Sequence, residues 1–323
     1  MSKPDRPAQG LAPHAHHLLL YGGDRQFLDA ALPFARDGLD AGEPVFIATS
    51  PHNTALLREH LGRRASQVTF AAAHWYRTPA QALLAYHDQA RAQTGPSRVL
   101  GETPWAGLSE EQAREWTRYE ALLNLALAST GAWHLCPYNT ATLPSGLLHA
   151  AQLTHPTFTA GISHRPNPAH IPPEDFSAAC DSVPLPDPPA DSAELRFDGR
   201  EQLAELRAFT ARLAAAAGLS TDRVETLLIC VDEAAANAIQ HGGGSGRCRI
   251  WTTTTEVFCE ITDPNGSLNA ALAGYLPPVT SQLDGRGLWI IRQLSDAADM
   301  RSANTGTTIR IRMSRRHTPT PRS

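Results

Sequence analysis

The pattern of apolar and polar positions along this chain changes period part-way, and the change divides the chain in two. From His17, short apolar runs alternate with longer segments of helical period. HLLLYG, VFIATS, QVTF, RVLGE and WHLCPY read as buried strands. Between them lie RQFLDAALPFARDGLDAG, NTALLREHLG, PAQALLAYHDQARA and SEEQAREWTRYEALLNLALAST, which read as helices. The last opens on a capping box, Ser109 with Gln112 three residues on. Strands alternating with helices of these lengths predict an α/β domain with a mainly parallel sheet. In the second half the order is different. ELRFD is a short alternating strand, and REQLAELRAFTARLAAAAG and the stretch from Val224 to Gly242 are helical. RCRIWTTT and EVFCEITD form a hairpin, GLWIIRQLSD is a helix, and ADMRSA and TTIRIRM close the domain. That order predicts an α+β sandwich with helices on one face of a mostly antiparallel sheet.

Eight prolines between Pro166 and Pro189 separate the halves. Proline lacks an N–H and fixes φ, so residues 165–193 are expected to form a semi-extended spacer without helix or strand hydrogen bonds. The organisation expected is a leader at 1–13, a first domain at 14–164, the spacer, a second domain at 194–314 and a basic tail at 315–323. A chain of 323 residues supports two cores.

Composition adjusts this picture little. Apolar residues make up 42% and charged residues 19%, as in a soluble globular protein. The net charge of −4 argues against a general attraction to nucleic acid or anionic membranes. Arg310, Arg312, Arg315 and Arg316 read as a solvated strand face and tail. No run of 18 apolar residues occurs and MSKPDRPAQG lacks the apolar core of a signal peptide, so a cytoplasmic location is expected. The five cysteines are scattered without a CxxC, which fits a reducing compartment.

The candidate chemistry centres on the helix from Val224 to Gly242. Val224, Leu227, Leu228, Val231, Ala235 and Ala238 recur at helical spacing and predict a core face. Glu233 and Asn237, four residues apart, place a carboxylate and an amide on one side of it. Ser220, Thr221 and Asp222 offer N-cap oxygens, and Gly242 is expected to end the helix in a left-handed conformation. Alone, this is an ordinary amphipathic helix with two solvated polar residues. Three elements downstream change that reading. Asp263-Pro264-Asn265-Gly266 ends a strand with an acid able to accept an adenine amine. Gly285-Arg286-Gly287-Leu288 opens a helix whose free N–H groups and dipole suit phosphates. Gly306-Thr307-Thr308 opens the last strand. The loop from Ser267 to Asp284 reads equally as a lid over a nucleotide or as a plain surface loop.

The first domain resembles a RecA-like nucleotide-binding core in its rhythm. After its first strand comes Tyr21-Gly22-Gly23-Asp24-Arg25-Gln26-Phe27, with Phe27 and Leu28 where a phosphate loop needs Lys and Ser/Thr. It is therefore not expected to hydrolyse a nucleotide. His14, His16, His17, Cys136, His149, His155 and His164 supply metal-ligand types, but their spacings match no compact zinc signature. Ordinary hydrogen-bonding histidines are expected, with Cys136 a small buried hydrophobe.

Over residues 14–164, HHLLLYGGDRQFLDAALPFARDGLDAGEPVFIATS, RYEALLNLALA, WHLCPYNT and AAQLTHP resemble the MEDS sensory domain, a degenerate RecA-like module of bacterial regulators. The resemblance implies sensory input from an unidentified small ligand. Over residues 194–314, DEAAANAIQHG and GRGLWIIRQLSD resemble the GHKL ATPase/kinase superfamily, or Bergerat fold, and within it the anti-sigma-factor serine/threonine kinases. This second resemblance implies ATP and magnesium as cofactors. By position, Asn237 would coordinate magnesium on the ATP phosphates, and Glu233 would be the general base. Asp263 and Gly266 would hold the adenine side of the pocket with Gly306 and Thr307, and Gly285, Arg286, Gly287 and Leu288 would wrap the phosphates. The implied partner is a sigma factor or a STAS-type anti-anti-sigma protein, with no direct nucleic acid or membrane contact, and a homodimer is compatible with it. The family's acid motif is usually Asp-x-Gly followed by x-Gly, whereas Asn265 stands at the first glycine here. Asparagine tolerates a left-handed backbone, and its side chain would be expected to crowd the adenine.

Two other readings stand beside the kinase. A non-catalytic switch would use ATP occupancy only to change partner affinity. A sensor histidine kinase needs an acceptor histidine before the ATP domain, and none lies between His170 and His241.

Overall fold

A computed structural model describes residues 14–72, 78–267, 271–278, 286–303 and 306–315. The chain forms two compact units, residues 1–177 and 178–323. The leader at 1–13, Gly285, half of the Ser267–Asp284 loop and the tail from Arg316 lie outside the described residues.

In the first unit the alternating elements appear in the expected order. They are β1 (Ala15–Tyr21), α1 (Asp24–Asp40), β2 (Val45–Thr49), α2 (Pro51–Leu61), β3 (Thr69–Ala72), α3 (Pro79–Arg91), β4 (Ser97–Gly101), α4 (Glu110–Ala126) and β5 (Ala132–Asn139). Beyond them come α5 (Ser145–Thr154), β6 (Thr157–Ala160) and β7 (Ser163–Pro166), two more strands than the sequence pattern marked. The sheet order is β3-β2-β4-β5-β1-β6-β7, parallel except for the β6–β7 edge pair. The capping box is present: Ser109 accepts from Gln112 N while Gln112 accepts from Ser109 N. Phe27 is fully buried with Leu19, Ala31 and Ile47, so the position where a phosphate loop would need lysine is spent on the core.

The 165–193 segment departs from the expected spacer. Pro173–Asp181 forms a helix, α6, with Pro173 at its first residue, where a missing N–H costs nothing.

The second unit runs β8 (Ala193–Asp198), α7 (Leu203–Ala216), α8 (Thr221–His241), β9 (Ser245–Thr252), β10 (Glu256–Asp263), α9 (Arg286–Leu294), β11 (Ala297–Ala303) and β12 (Gly306–Ser314). Its sheet, in the order β11-β12-β10-β9-β8, is antiparallel throughout. The apolar stripe of α8, with Leu227, Val231, Ala235 and Ala238 inside, packs on Ile250, Ile261, Ile309 and Ile311 of the sheet. Each buried Leu, Ile or Val side chain contributes about 1.5–3 kcal/mol. Ser220 is the N-cap of α8, although no side-chain cap hydrogen bond forms.

The other face of this sheet is covered at β11, β12 and β10, although Glu194 and Arg196 of β8 stay exposed, and this corrects the reading of Arg310 and Arg312. Both are buried. Arg310 donates from Nε and Nη2 to Glu260, its cross-strand partner, and Arg312 pairs with Asp299 at 3.2 Å. Residues of the proline-rich segment run over this face: Arg310 Nη2 donates to Pro186 O at 2.7 Å and Arg301 Nε to Val183 O at 3.2 Å. Proline carbonyls remain acceptors, so a segment poor in N–H groups can still cap buried arginines.

Candidate functional site

Helix α8 presents Glu233 and Asn237 one turn apart, towards the start of α9. A Cβ on Gly287 would lie 2.7 Å from Glu233 Oε2 and 3.1 Å from Asn237 Nδ2, so the two polar side chains fit against α9 only because that residue is glycine. Strand register supplies the opposite wall. Asp263, the last residue of β10, pairs across the ladder with Thr307 near the start of β12. A cavity of about 160 Å³ opens between them, lined by Asn237, Ala238, Asp263, Gly266, Leu288 and Thr307 among others. His241, which the sequence reading did not select, also lines it.

The polar groups of this cavity are held but not saturated. Asp263 is 5% exposed, and its Oδ1 accepts from Asn265 N at 2.9 Å. Asn237 Nδ2 and Thr307 Oγ1 are buried without a hydrogen-bond partner. A buried unpaired polar group costs roughly 1–3 kcal/mol, which marks both as atoms built to meet something else. A Cβ on Gly266 would sit 2.6 Å from Asp263 Oδ2 and 2.9 Å from Thr307 Oγ1, so glycine keeps the space between acid and hydroxyl open.

Three details revise expectations. Gly242 ends α8 with φ −105°, not left-handed. It is required to be glycine for another reason: a Cβ there would fall 1.5 Å from Asp263 Oδ2. Asn265 also avoids a left-handed backbone, since no described non-glycine residue has positive φ. Its side-chain amide rests against Gly243, where a Cβ would come within 2.1 Å of Nδ2, and it is not among the residues lining the cavity. Gly306 plays a backbone part, with φ +109° and no room for a Cβ beside the Asp263 carbonyl. Arg286 is exposed at the first turn of α9 and Leu288 reaches the cavity. In the Ser267–Asp284 loop, Tyr275 is buried and lies 4.0 Å from the Arg292 guanidinium, ring centroid to Cζ.

The first unit holds two further features. A cavity of about 1120 Å³ opens at the carboxyl ends of the parallel strands, lined by Tyr21, Ser50, Asn53, Glu102, Trp105 and Asn139 among others. Ligands of open α/β sheets bind at this edge. Glu102 organises its floor, accepting from Tyr21 OH, Thr49 Oγ1, Ser50 N and Asn53 Nδ2. Burial, reinforced by Glu102, pushes the Tyr21 hydroxyl up to about 12.

The candidate histidines sort into two groups. His14 bonds Ala132 O, His17 bonds Thr157 and His164 bonds Thr159, as expected of ordinary histidines, while His149 is exposed. His16, Cys136 and His155 instead converge with Glu120, a residue the sequence reading passed over. Burial pushes the Glu120 carboxyl and the Cys136 thiol up and holds His155 down at about 3. The signal that could have found Glu120 is a charged residue on the helix face shared by Trp116 and Leu123, both buried.

Residues 15–156 match the MEDS family, described as "MEthanogen/methylotroph, DcmR Sensory domain", and residues 198–313 match the histidine kinase-like ATPase domain. The chain is a MEDS domain followed by a histidine kinase-like ATPase domain. No curated protein matches it in sequence. Among solved structures, the catalytic domain of histidine kinase ThkA, in a nucleotide-free form, aligns at 14% identity over 38% of this chain and 96% of that one, with a TM-score of 0.27. The α8–α9–β10–β12 cavity thus belongs to the ATPase domain, and the strand-end cavity and the Glu120 cluster to the MEDS domain. Among the described residues, no helix is long and apolar enough to cross a membrane.

Proposed function

We propose that the ATPase domain is a serine/threonine protein kinase of the anti-sigma-factor type, regulated by the MEDS domain and acting on a sigma factor or a STAS-type anti-anti-sigma protein. The observation that carries this reading is the placement of Glu233 and Asn237 against the N-terminus of α9 with Asp263 across the cavity. Bound magnesium–ATP would supply the phosphoryl group and neutralise its developing charge. The lining fits a nucleotide: Asn237 Nδ2 and Thr307 Oγ1 are buried with unused donating capacity that phosphate or adenine acceptors could meet, and the space beside Gly266 would be closed by any side chain. Asn237 would hold the ion through its amide oxygen, since magnesium keeps its waters and needs few protein ligands. Asp263 would accept the adenine amine, with Thr307 beside it. The free N–H groups at Arg286, Gly287 and Leu288 would face the phosphates. Glu233 would accept the proton of the attacking serine or threonine hydroxyl.

The MEDS domain reads as a degenerate RecA-like module. Its parallel sheet and its Gly22-Gly23 turn into α1 support this, and the buried Phe27 removes the phosphate lysine. Its strand-end cavity would take the sensed small ligand.

A thermal shift of the full chain with millimolar ATP and magnesium tests the nucleotide step, because a ligand bound only to the folded state raises its stability. The wild type is expected to shift and Asn237→Ala to lose the shift; no wild-type shift would overturn the proposal. Glu233→Ala separates kinase from switch. A kinase keeps the shift and loses transfer to an anti-anti-sigma substrate, whereas a switch keeps its ATP-dependent partner binding and never showed transfer.

A further inference from the structure

We propose that His16, Glu120, Cys136 and His155 of the MEDS domain form a closed four-ligand centre for a divalent transition-metal ion, zinc by the character of the donors. One nitrogen, sulfur or carboxylate oxygen from each of the four lies within 4.8 Å of the others, and all four residues are buried.

Topology brings them together from four elements. The parallel β1–β5 register pairs His16 with His134 and Leu18 with Cys136, which puts His16 and Cys136 on one face of the sheet. Helix α4 covers that face, with Glu120 and Asn124 one turn apart. His155 is the residue that ends α5.

Hydrogen bonds outside the cluster decide which way the lone pairs point. His155 Nδ1 lies 2.8 Å from Ala151 O, an acceptor only, so Nδ1 carries the proton and Nε2 is bare. His16 Nδ1 lies 3.2 Å from Asn124 Oδ1. The Asn124 amide is oriented by its NH₂ group, which donates to Ala121 O and Thr154 O, so the His16 Nδ1 must again be the donor. Both bare Nε2 atoms then face the same carboxylate oxygen, Glu120 Oε2, at 3.4 and 3.5 Å, and His16 Nε2 is 3.3 Å from Cys136 Sγ. Glu120 Oε2 and His155 Nε2 have no hydrogen-bond partner. Electron-rich atoms brought this close in a dry interior need either the carboxyl and thiol protons or a bound cation among them, and a cation satisfies all four at once.

Distance and charge agree on what that charge is. Tetrahedral zinc with bonds of ~2.0–2.3 Å has nitrogen–oxygen edges of about 3.4 Å and nitrogen–sulfur edges of about 3.6 Å, close to the spacings found. One thiolate and one carboxylate balance a divalent ion, and loading releases the thiol and carboxyl protons to solvent. Imidazole and thiolate donors select zinc over magnesium or calcium. The outer bonds are those of a metal centre: each histidine donates its other nitrogen, and Glu120 Oε1 accepts from Thr103 Oγ1 at 2.9 Å. Thr103 also lines the strand-end cavity, so one hydroxyl separates the centre from the place where the sensed ligand would sit.

The test uses the full chain, stripped with a chelator and titrated with cobalt(II) chloride. One cobalt per chain is expected, with intense thiolate-to-cobalt absorption in the near ultraviolet, displaced by one equivalent of zinc. Cys136→Ser should abolish that absorption, while His164→Gln, outside the cluster, should keep it. Should Cys136→Ser fail to fold, Glu120→Gln preserves size and is expected to weaken cobalt binding at least tenfold. A wild-type chain that takes up no cobalt and whose Tm ignores both chelator and zinc overturns the proposal, leaving a buried hydrogen-bond network only. Thiolate absorption that persists in folded Cys136→Ser also overturns it.

Discussion

Glu233 and Gly287 are in contact across the α8–α9 groove, with the carboxylate oxygen 2.7 Å from where a methyl group on Gly287 would be. This makes Gly287→Ala a clean probe. Alanine favours a helix by roughly 1 kcal/mol over glycine, and the atoms it meets are the ends of side chains able to move. The expected result is a Tm unchanged or slightly raised, with ATP affinity at least tenfold weaker because Glu233 and Asn237 are displaced. A thermal melt checks the first and calorimetric titration with ATP–magnesium the second; unchanged affinity would separate this groove from the phosphate site.

Gly242→Ala should behave in the opposite way. Its new methyl group would meet the Asp263 carboxylate at 1.5 Å and the Ala238 backbone oxygen at 2.6 Å. Backbone cannot step aside cheaply, so about 2 kcal/mol or more of stability should go with ATP binding, on the scale of overpacked cores. Equilibrium denaturation of the variant reads the loss directly.

Asn265→Gly tests the departure from the family's acid motif. The Asn265 side chain lies against Gly243 and outside the cavity lining. ATP affinity is therefore expected to change less than threefold. A large gain on substitution would show that Asn265 obstructs the adenine after all.

The Arg310–Glu260 pair on the opposite face of the ATPase sheet supports the fold and not the site. Removing one partner leaves a buried charge uncompensated, so Glu260→Ala should cost about 3–5 kcal/mol, while the double change to Met at both positions should recover most of it. Scanning calorimetry of the two variants distinguishes these outcomes.

All five cysteines are buried and none is in a disulfide. Burial, with a smaller push from Glu233, raises the Cys230 thiol to about 12. At pH 8 the native chain should give no rapid reaction with a disulfide reagent, and all five thiols should react once guanidinium unfolds it. Fast labelling of any thiol in the native state would contradict this burial.

Much of this protein was legible along the chain because its signals are local. The switch from βα alternation to a strand–helix–helix–hairpin order separated two sheets, one mainly parallel and one antiparallel. The four-residue spacing of Glu233 and Asn237 puts both on one side of α8, and of the positions the sequence marks, Asn237, Asp263, Gly266, Leu288 and Thr307 line one cavity. What stayed hidden depends on long-range pairing. Whether Asn265 enters the cavity rests on the space left by Gly243, more than twenty residues earlier. The burial of Arg310 and Arg312 depends on cross-strand acids and on a proline-rich segment whose carbonyls reach across the sheet. The convergence of His16, Glu120, Cys136 and His155 requires a parallel register between strands some 120 residues apart, and no periodicity in sequence encodes that distance. Sequence determined which residues could form helices, strands and a nucleotide site, since those follow from neighbours a few positions away. Only the tertiary structure decided which buried polar atoms face one another, because burial and strand register alone bring distant donors and lone pairs into the same few cubic ångströms.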